Sequence, residues 1–169
     1  MPDNIDWTTL AARIRSSANG PQHWASQTDA RRAIELLVGE SHLVRAVEEY
    51  VAGHNESELI RAVLSLIRPI SAMTRCYELY RSNARVNTRR AAVELLRAIA
   101  DHHALPWIEE LLDDSDEVNC RWGVGVLDQL LWSELVRPEE CEELLRRAES
   151  HHDAHIRERA AAIRHYLER

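Results

Sequence analysis

Ala154-His155-Ile156-Arg157-Glu158-Arg159-Ala160-Ala161 is the stretch from which the rest of the chain can be read. Continued toward the C-terminus, it places Ile156, Ala160, Ile163 and Leu167 on one stripe, the spacing of a helix with a single buried face. The same period recurs upstream. Thr88 to Ala100 sets Ala91, Ala92, Leu95, Leu96 and Ile99 on one face, and Glu58 to Arg68 does so with Leu59, Ile60, Val63, Leu64 and Ile67. Alternating strand patterns are absent. The breaks are short: Asn19-Gly20-Pro21, Gly39-Glu40-Ser41, Gly53-His54-Asn55, Arg68-Pro69 and Arg137-Pro138. The sequence predicts an all-α chain forming one domain over residues 1–169, because no linker is long or biased enough to divide it.

Helix starts can be placed from side chains that accept a first-turn N–H. Asp3, Ser41, Ser71, Asp116 and Asp153 are the expected N-caps or first-turn residues. Pro138-Glu139-Glu140 is a further start, with proline tolerated in the first turn and the acids at the positive end of the helix dipole. Residues 5–17, with Trp7, Leu10 and Ile14 on one stripe, are expected to form an N-terminal helix.

The helices also repeat. Arg31-Arg32-Ala33-Ile34-Glu35-Leu36-Leu37 is similar to Arg89-Arg90-Ala91-Ala92-Val93-Glu94-Leu95-Leu96, and Val86-Asn87-Thr88-Arg89 matches Val118-Asn119-Cys120-Arg121 in register. The anchors Arg32, Arg61, Arg90, Trp122 and Arg159 lie 29, 29, 32 and 37 residues apart, room for two short helices and two turns each. Asp116-Glu117-Val118-Asn119-Cys120-Arg121 and Ala154-His155-Ile156-Arg157-Glu158-Arg159-Ala160-Ala161 resemble the second helix of HEAT-like repeats of the PBS-lyase type, an acid, Val-Arg, two spacers and a pair of alanines. The copy at 117–131 departs from this, with Asn119 in place of arginine and Trp122-Gly123 in place of alanines. The resemblance implies an α-α superhelix, a HEAT/ARM-like solenoid of about five helix pairs, with residues 5–17 capping its N-terminal end. The second helices would line a concave surface. The first helices, near 42–52, 71–82, 104–113 and 138–149, would form the outer one.

Composition narrows the function classes. All 21 basic residues are arginine, and the net charge is −7. Residues 69–100 carry 6 arginines against 2 acids, whereas residues 101–150 carry 14 acids against 4 arginines. An acidic chain disfavours nonspecific nucleic-acid binding, which phosphate contacts dominate, and the acidic block suits a basic protein partner. No apolar run approaches the ~20 residues of a membrane span. The start Met1-Pro2-Asp3-Asn4-Ile5-Asp6 lacks the basic and apolar regions of a secretory signal, so a cytoplasmic location is expected. Cys76, Cys120 and Cys141 are widely spaced and odd in number, the pattern of buried free thiols.

No motif calls for a cofactor or a catalytic group. Serine is absent from any Gly-x-Ser-x-Gly elbow, and none of the 5 glycines builds a phosphate-cradling loop. Adjacent acids such as Glu109-Glu110 diverge by about 100° on a helix and form no shared-proton dyad. His151, Asp153 and His155, and Asp101 with His102 and His103, have ligand chemistry but fall where turns are expected, and no metal site is assigned. The second helices carry another stripe: Arg61-Ser65-Arg68, Arg90-Glu94-Arg97 and Trp122-Val126-Gln129. Arginine beside tryptophan is hot-spot chemistry, so Arg61, Arg68, Arg90, Glu94, Arg97 and Trp122 form the expected partner-binding ridge. The same stripe could equally be an Arg–Glu ladder with a tryptophan packed between repeats. Trp107 and Trp132 are expected to be packing residues.

These readings converge on a non-catalytic protein-binding module. Its resemblance to bacterial HEAT-like adaptors and inhibitors extends to immunity proteins that neutralise a toxin. Two alternatives rest on resemblance alone. One is a HEAT-like DNA glycosylase, to which Arg61, Arg68, Arg90, Arg97, Trp122 and Asp128 would contribute. The other is a bilin lyase or chaperone. Oligomeric state is left open.

Overall fold

A computed structural model of the chain describes residues 6–16, 27–53, 56–82 and 85–168. The expected cap at Asp3 and the breaks at Asn19-Gly20-Pro21 and His54-Asn55 lie outside the described residues. Among the described residues ten α-helices follow one another: α1 Trp7–Ser16, α2 Gln27–Val38, α3 Glu40–Val51, α4 Ser57–Ile67, α5 Ile70–Arg81, α6 Val86–Ile99, α7 Ile108–Leu112, α8 Glu117–Trp132, α9 Glu142–Glu149 and α10 Ala154–Leu167. Short 3-10 turns at His102–Trp107 and Pro138–Cys141 lead into α7 and α9. Among the described residues there is no strand, and no helix is long and apolar enough to cross a membrane.

The expected starts at Asp116 and Asp153 are real caps. Asp116 Oδ1 accepts from Val118 N at 3.0 Å, and Asp153 Oδ1 accepts from His155 N at 2.8 Å. Arg137 and Glu140 close a capping box around Pro138. Ser71 acts differently from a cap: its N–H and hydroxyl both donate to the buried Glu35 of α2, at 3.0 and 2.7 Å. Glu35 thus caps α5 from a different helix. Ser41 is a first-turn residue of α3 and not its cap, which is Gly39, whose φ of 92° suits glycine. α4 ends on Arg68, which takes a left-handed conformation at φ 50°, and Pro69 follows.

Packing is by neighbours. α2, α4, α6, α8 and α10 each touch the next in that series, while α3 packs on α5 and α7 on α9. The two series join through α3–α4, α5–α6, α7–α8 and α9–α10. α1 packs on α2. Buried side chains from Leu43 to Ile163 form one continuous apolar cluster, including Met73, Leu95, Leu96, Ile99, Leu111, Leu127 and Ile156. Gly123 lets α7 come this close, since a Cβ there would lie 2.8 Å from Leu111 Cβ. The three cysteines are free and buried. Burial pushes the Cys120 and Cys141 thiols up to about 11, with Asp114 adding to the shift at Cys120 and Glu140 at Cys141.

Two stripes depart from expectation. The α6 stripe is buried as read, Ala92, Leu95, Leu96 and Ile99 completely and Ala91 in part. On α4, Leu64 and Ile67 are buried, but Leu59, Val63 and Leu66 are exposed. Ile34, Leu37 and Val38 of the neighbouring α2 are also exposed. The N-terminal half therefore keeps an open apolar face, and Trp7 of α1 is exposed although Leu10 beside it is buried.

Candidate functional site

The expected ridge divides into groups with different tasks. Arg90 is the fifth residue of α6. Its Nε and Nη2 donate to the two Asp116 oxygens at 2.8 and 3.1 Å, gripping the cap of α8. Arg121, the fifth residue of α8, repeats the contact one step along, with Nε donating to Asp153 Oδ2 at 2.7 Å at the cap of α10. The paired arginines hold both carboxyls below the usual aspartate range. This ladder stops upstream. Arg61 is the fifth residue of α4, but the N-cap of α6 is Arg85, and Arg61 turns to Glu58 of its own helix at 2.5 Å. Arg68 donates to the Ala100 carbonyl at 3.2 Å, tying the end of α4 to the end of α6. Burial, reinforced by the nearby Arg31, pushes the Arg68 guanidinium below its ordinary value. Glu94 is half-buried, and its charge bears on Tyr50 and Arg61. Of the six ridge residues, Arg68 and Arg90 thus link successive helix pairs.

Arg97 and Trp122 are brought together. The guanidinium carbon lies 5.1 Å from the centroid of the Trp122 ring, a cation–π stack between α6 and α8. Gly125 makes the stack possible: a Cβ there would come within 2.9 Å of Arg97 Cδ and 3.0 Å of Nε. The next residue on the expected stripe, Val126, is fully buried and takes no part. The site turns instead onto the positions one residue away.

Those positions line a groove of about 340 Å³ between α6, α8 and α10, formed by Arg97, Gly125, Asp128, Gln129, Trp132, Arg159, Ala162 and Tyr166. Trp132, expected to pack inside, is 69% exposed and meets Tyr166 edge-on at 5.3 Å between centroids. Arg159 Nε donates to Asp128 Oδ2 at 2.8 Å, and the Tyr166 hydroxyl donates to Asp128 Oδ1 at 3.0 Å. Burial first, then the Asp128 charge, raises the Tyr166 phenol well above its ordinary value, so it stays a donor. Gln129 Nε2 donates to Ser133 Oγ at 2.7 Å. Asp128 is therefore neutralised from two sides. Arg97 has, among the described residues, no carboxylate in ion-pair contact. Tyr166 escapes the sequence reading, which gives Arg159 only as a repeat anchor and Trp132 as a packing residue; the glycines at 123 and 125 are the available signal that something large sits against α8.

The acidic block is largely consumed by arginines from other segments. Asp114 pairs with Arg89, Asp116 with Arg90 and Asp128 with Arg159. Glu109 and Asp113 share Arg147, and Glu142 and Glu149 share Arg164. The block is less of a free anionic face than its composition suggests.

The histidines group in two places. Asp101, His102 and His103 have ligand atoms within 4.8 Å of one another, the one such group among the described residues. There Asp101 Oδ1 already accepts from His103 N at 2.8 Å as the cap of the 3-10 turn. His151 accepts from Asp153 N at Nδ1, and its Nε2 faces the Leu112 carbonyl at 3.1 Å, so both ring nitrogens are engaged in the backbone. Asp153 serves Arg121 and the α10 cap.

No protein-family model, characterised protein or solved structure shows a significant match to the chain.

Proposed function

We propose that the paired helices build a short HEAT-like α-α superhelix and that the chain is a non-catalytic protein-binding module. Its binding surface is the groove of α6, α8 and α10. The observation that carries this reading is the exposed Trp132 beside the Arg97–Trp122 stack. An indole left in water is costly, and tryptophan and arginine side by side are the residues that dominate binding energy at protein interfaces. Adaptor and inhibitor roles, including neutralisation of a toxin in the cytoplasm, fall within this class.

A photoreactive residue tests it. Benzoylphenylalanine at Ala162, on the groove, should cross-link a discrete protein in the native host, and Arg97→Glu should abolish the product. The same group at the exposed Thr74 of α5 should give none. Cross-linking from Thr74 alone, or a product indifferent to Arg97→Glu, overturns the assignment.

A second reading, directed at nucleic acid, draws on the same groove because Arg97 and Asp128 line it and Trp122 stacks with Arg97. It is weakened by the pairing of Asp128 with Arg159 and of Arg90 with Asp116.

A further inference from the structure

Resting on the reading of the groove as a protein-binding site, we infer that its occupant is an acidic peptide segment: an Asp or Glu carboxylate docked on Arg97, next to a bulky apolar side chain laid on Trp132. This polarity is opposite to the basic partner that the acidic composition suggests.

The argument begins with which charges are already satisfied. Around the groove, Asp128 takes Arg159 and the Tyr166 hydroxyl, so the one anionic side chain lining it is spoken for. Arg90, about two turns from Arg97 on α6, is bidentate to Asp116. Arg97 alone lines the groove with a guanidinium that has no carboxylate among the described residues. It is also preorganised. Its guanidinium carbon lies over the Trp122 ring, and a Cβ at Gly125 would fall against its Cδ and Nε, so the side chain is packed between these two residues of α8 while it lines the groove. A planar guanidinium fixed in this way matches a carboxylate through two parallel hydrogen bonds.

The charge balance selects the anion. One free cation complements a single carboxylate. Arg159 is already held by Asp128, so a phosphate dianion would leave one of its charges unmatched, and a nucleic-acid backbone would bring successive charges to one available guanidinium. The apolar half of the ligand follows from Trp132, whose outer surface is exposed while Tyr166 holds its edge.

The test uses the full chain, labelled with nitrogen-15, and three twelve-residue peptides: alternating Glu-Leu, Gln-Leu and Lys-Leu. Nuclear magnetic resonance follows the tryptophan Nε1–H and arginine Nε–H signals. The Glu-Leu peptide should shift the Arg97, Trp122 and Trp132 signals and bind at least tenfold tighter than the Gln-Leu peptide. Arg97→Gln should remove that difference with the melting temperature retained. Gly125→Ala, which displaces Arg97 without removing its charge, should weaken Glu-Leu binding in the same direction. Equal binding of the Glu-Leu and Gln-Leu peptides, or preference for the Lys-Leu peptide, overturns the carboxylate assignment. Shifts confined to the open apolar face of α2 and α4 overturn the groove as the site but leave the protein-binding reading standing. Failure of all three peptides to shift any surface overturns both.

Discussion

Two glycines on one helix, two residues apart, should respond oppositely to the same substitution. Replacing a mid-helix glycine by alanine gains about 1 kcal/mol of helix propensity when nothing obstructs the methyl group. At Gly123 the new Cβ would lie 2.8 Å from Leu111 Cβ, 3.3 Å from the Leu111 carbonyl carbon and 3.4 Å from Leu112 N. Leu111 and Leu112 are fully buried, so α7 itself must shift. Overpacking of that kind costs about 1–3 kcal/mol, and against a rigid neighbour the upper half of the range applies. The net for Gly123→Ala is a loss of about 1–2 kcal/mol. At Gly125 the obstruction is Arg97 Cδ at 2.9 Å, Nε at 3.0 Å and Cγ at 3.7 Å, the far part of a side chain that can swing away. Losing the stack on Trp122 removes about 0.5–1 kcal/mol, which the propensity gain offsets. The expected net for Gly125→Ala is within about 0.5 kcal/mol of zero. Thermal unfolding followed by circular dichroism at 222 nm reads both. For a chain of this size, about 2–4 °C accompanies each kcal/mol, so Gly123→Ala should melt about 2–8 °C lower and Gly125→Ala within about 2 °C of the parent. A Gly123→Ala protein as stable as the parent would show that α7 and α8 are not locked at this point. A Gly125→Ala loss as large as that at Gly123 would show that Arg97 cannot yield.

Glu35 gives a pH signature. Burial alone would raise its carboxyl, but hydrogen bonds from the Ser71 hydroxyl and N–H and from Arg32 outweigh this and hold it below the ordinary glutamate value. A depressed folded pKa adds stability that is present above the unfolded value, near 4.5, and lost as pH falls through the folded one. Glu35→Gln should therefore cost about 2 kcal/mol at pH 7 and flatten the loss of stability below pH ~4.5; parallel acid limbs for the two proteins would refute the linkage. In the ladder, Asp153→Asn keeps a capping side chain whereas Asp153→Ala removes it, so alanine should be the more damaging by about 1 kcal/mol in urea titrations, and equal losses would assign the effect to the Arg121 pair alone. Duplex DNA titrated at about 150 mM salt should show no submicromolar binding, and such binding with a steep salt slope would favour the nucleic-acid reading.

The fold was legible wherever burial follows period. Ala92, Leu95, Leu96 and Ile99 read as core because α6 is covered by α4, α5 and α8, leaving a clean buried stripe. The caps at Asp116 and Asp153 read correctly because they are local chemistry. Leu59 and Val63 misled because an apolar stripe records the capacity for burial, not the presence of a covering helix. Trp132 misled for the converse reason: a large aromatic near a helix end looks like packing until the tertiary course leaves it largely exposed beside Tyr166. The ridge was legible as residue chemistry but not as geometry. Nothing in the spacing of Arg90 and Arg97 tells that Asp116 claims the first, 26 residues away, while Trp122 stacks on the second.

The missing rung at Arg85 has a thermodynamic consequence. In a stack where each helix pair touches little beyond its neighbours, stability is set joint by joint. The joints from α6 to α8 and from α8 to α10 each carry a guanidinium clamped on a helix cap. The α4–α6 joint carries Arg61 turned back on its own helix and the hydrogen bond from Arg68 to the Ala100 carbonyl. Leu59, Val63 and Leu66 of α4 are already in solvent there, so on that helix opening the joint newly exposes chiefly Leu64 and Ile67. The N-terminal helices should thus peel away at a fraction of the global unfolding free energy, their amides exchanging first, while the half that holds the groove remains a closed cooperative unit.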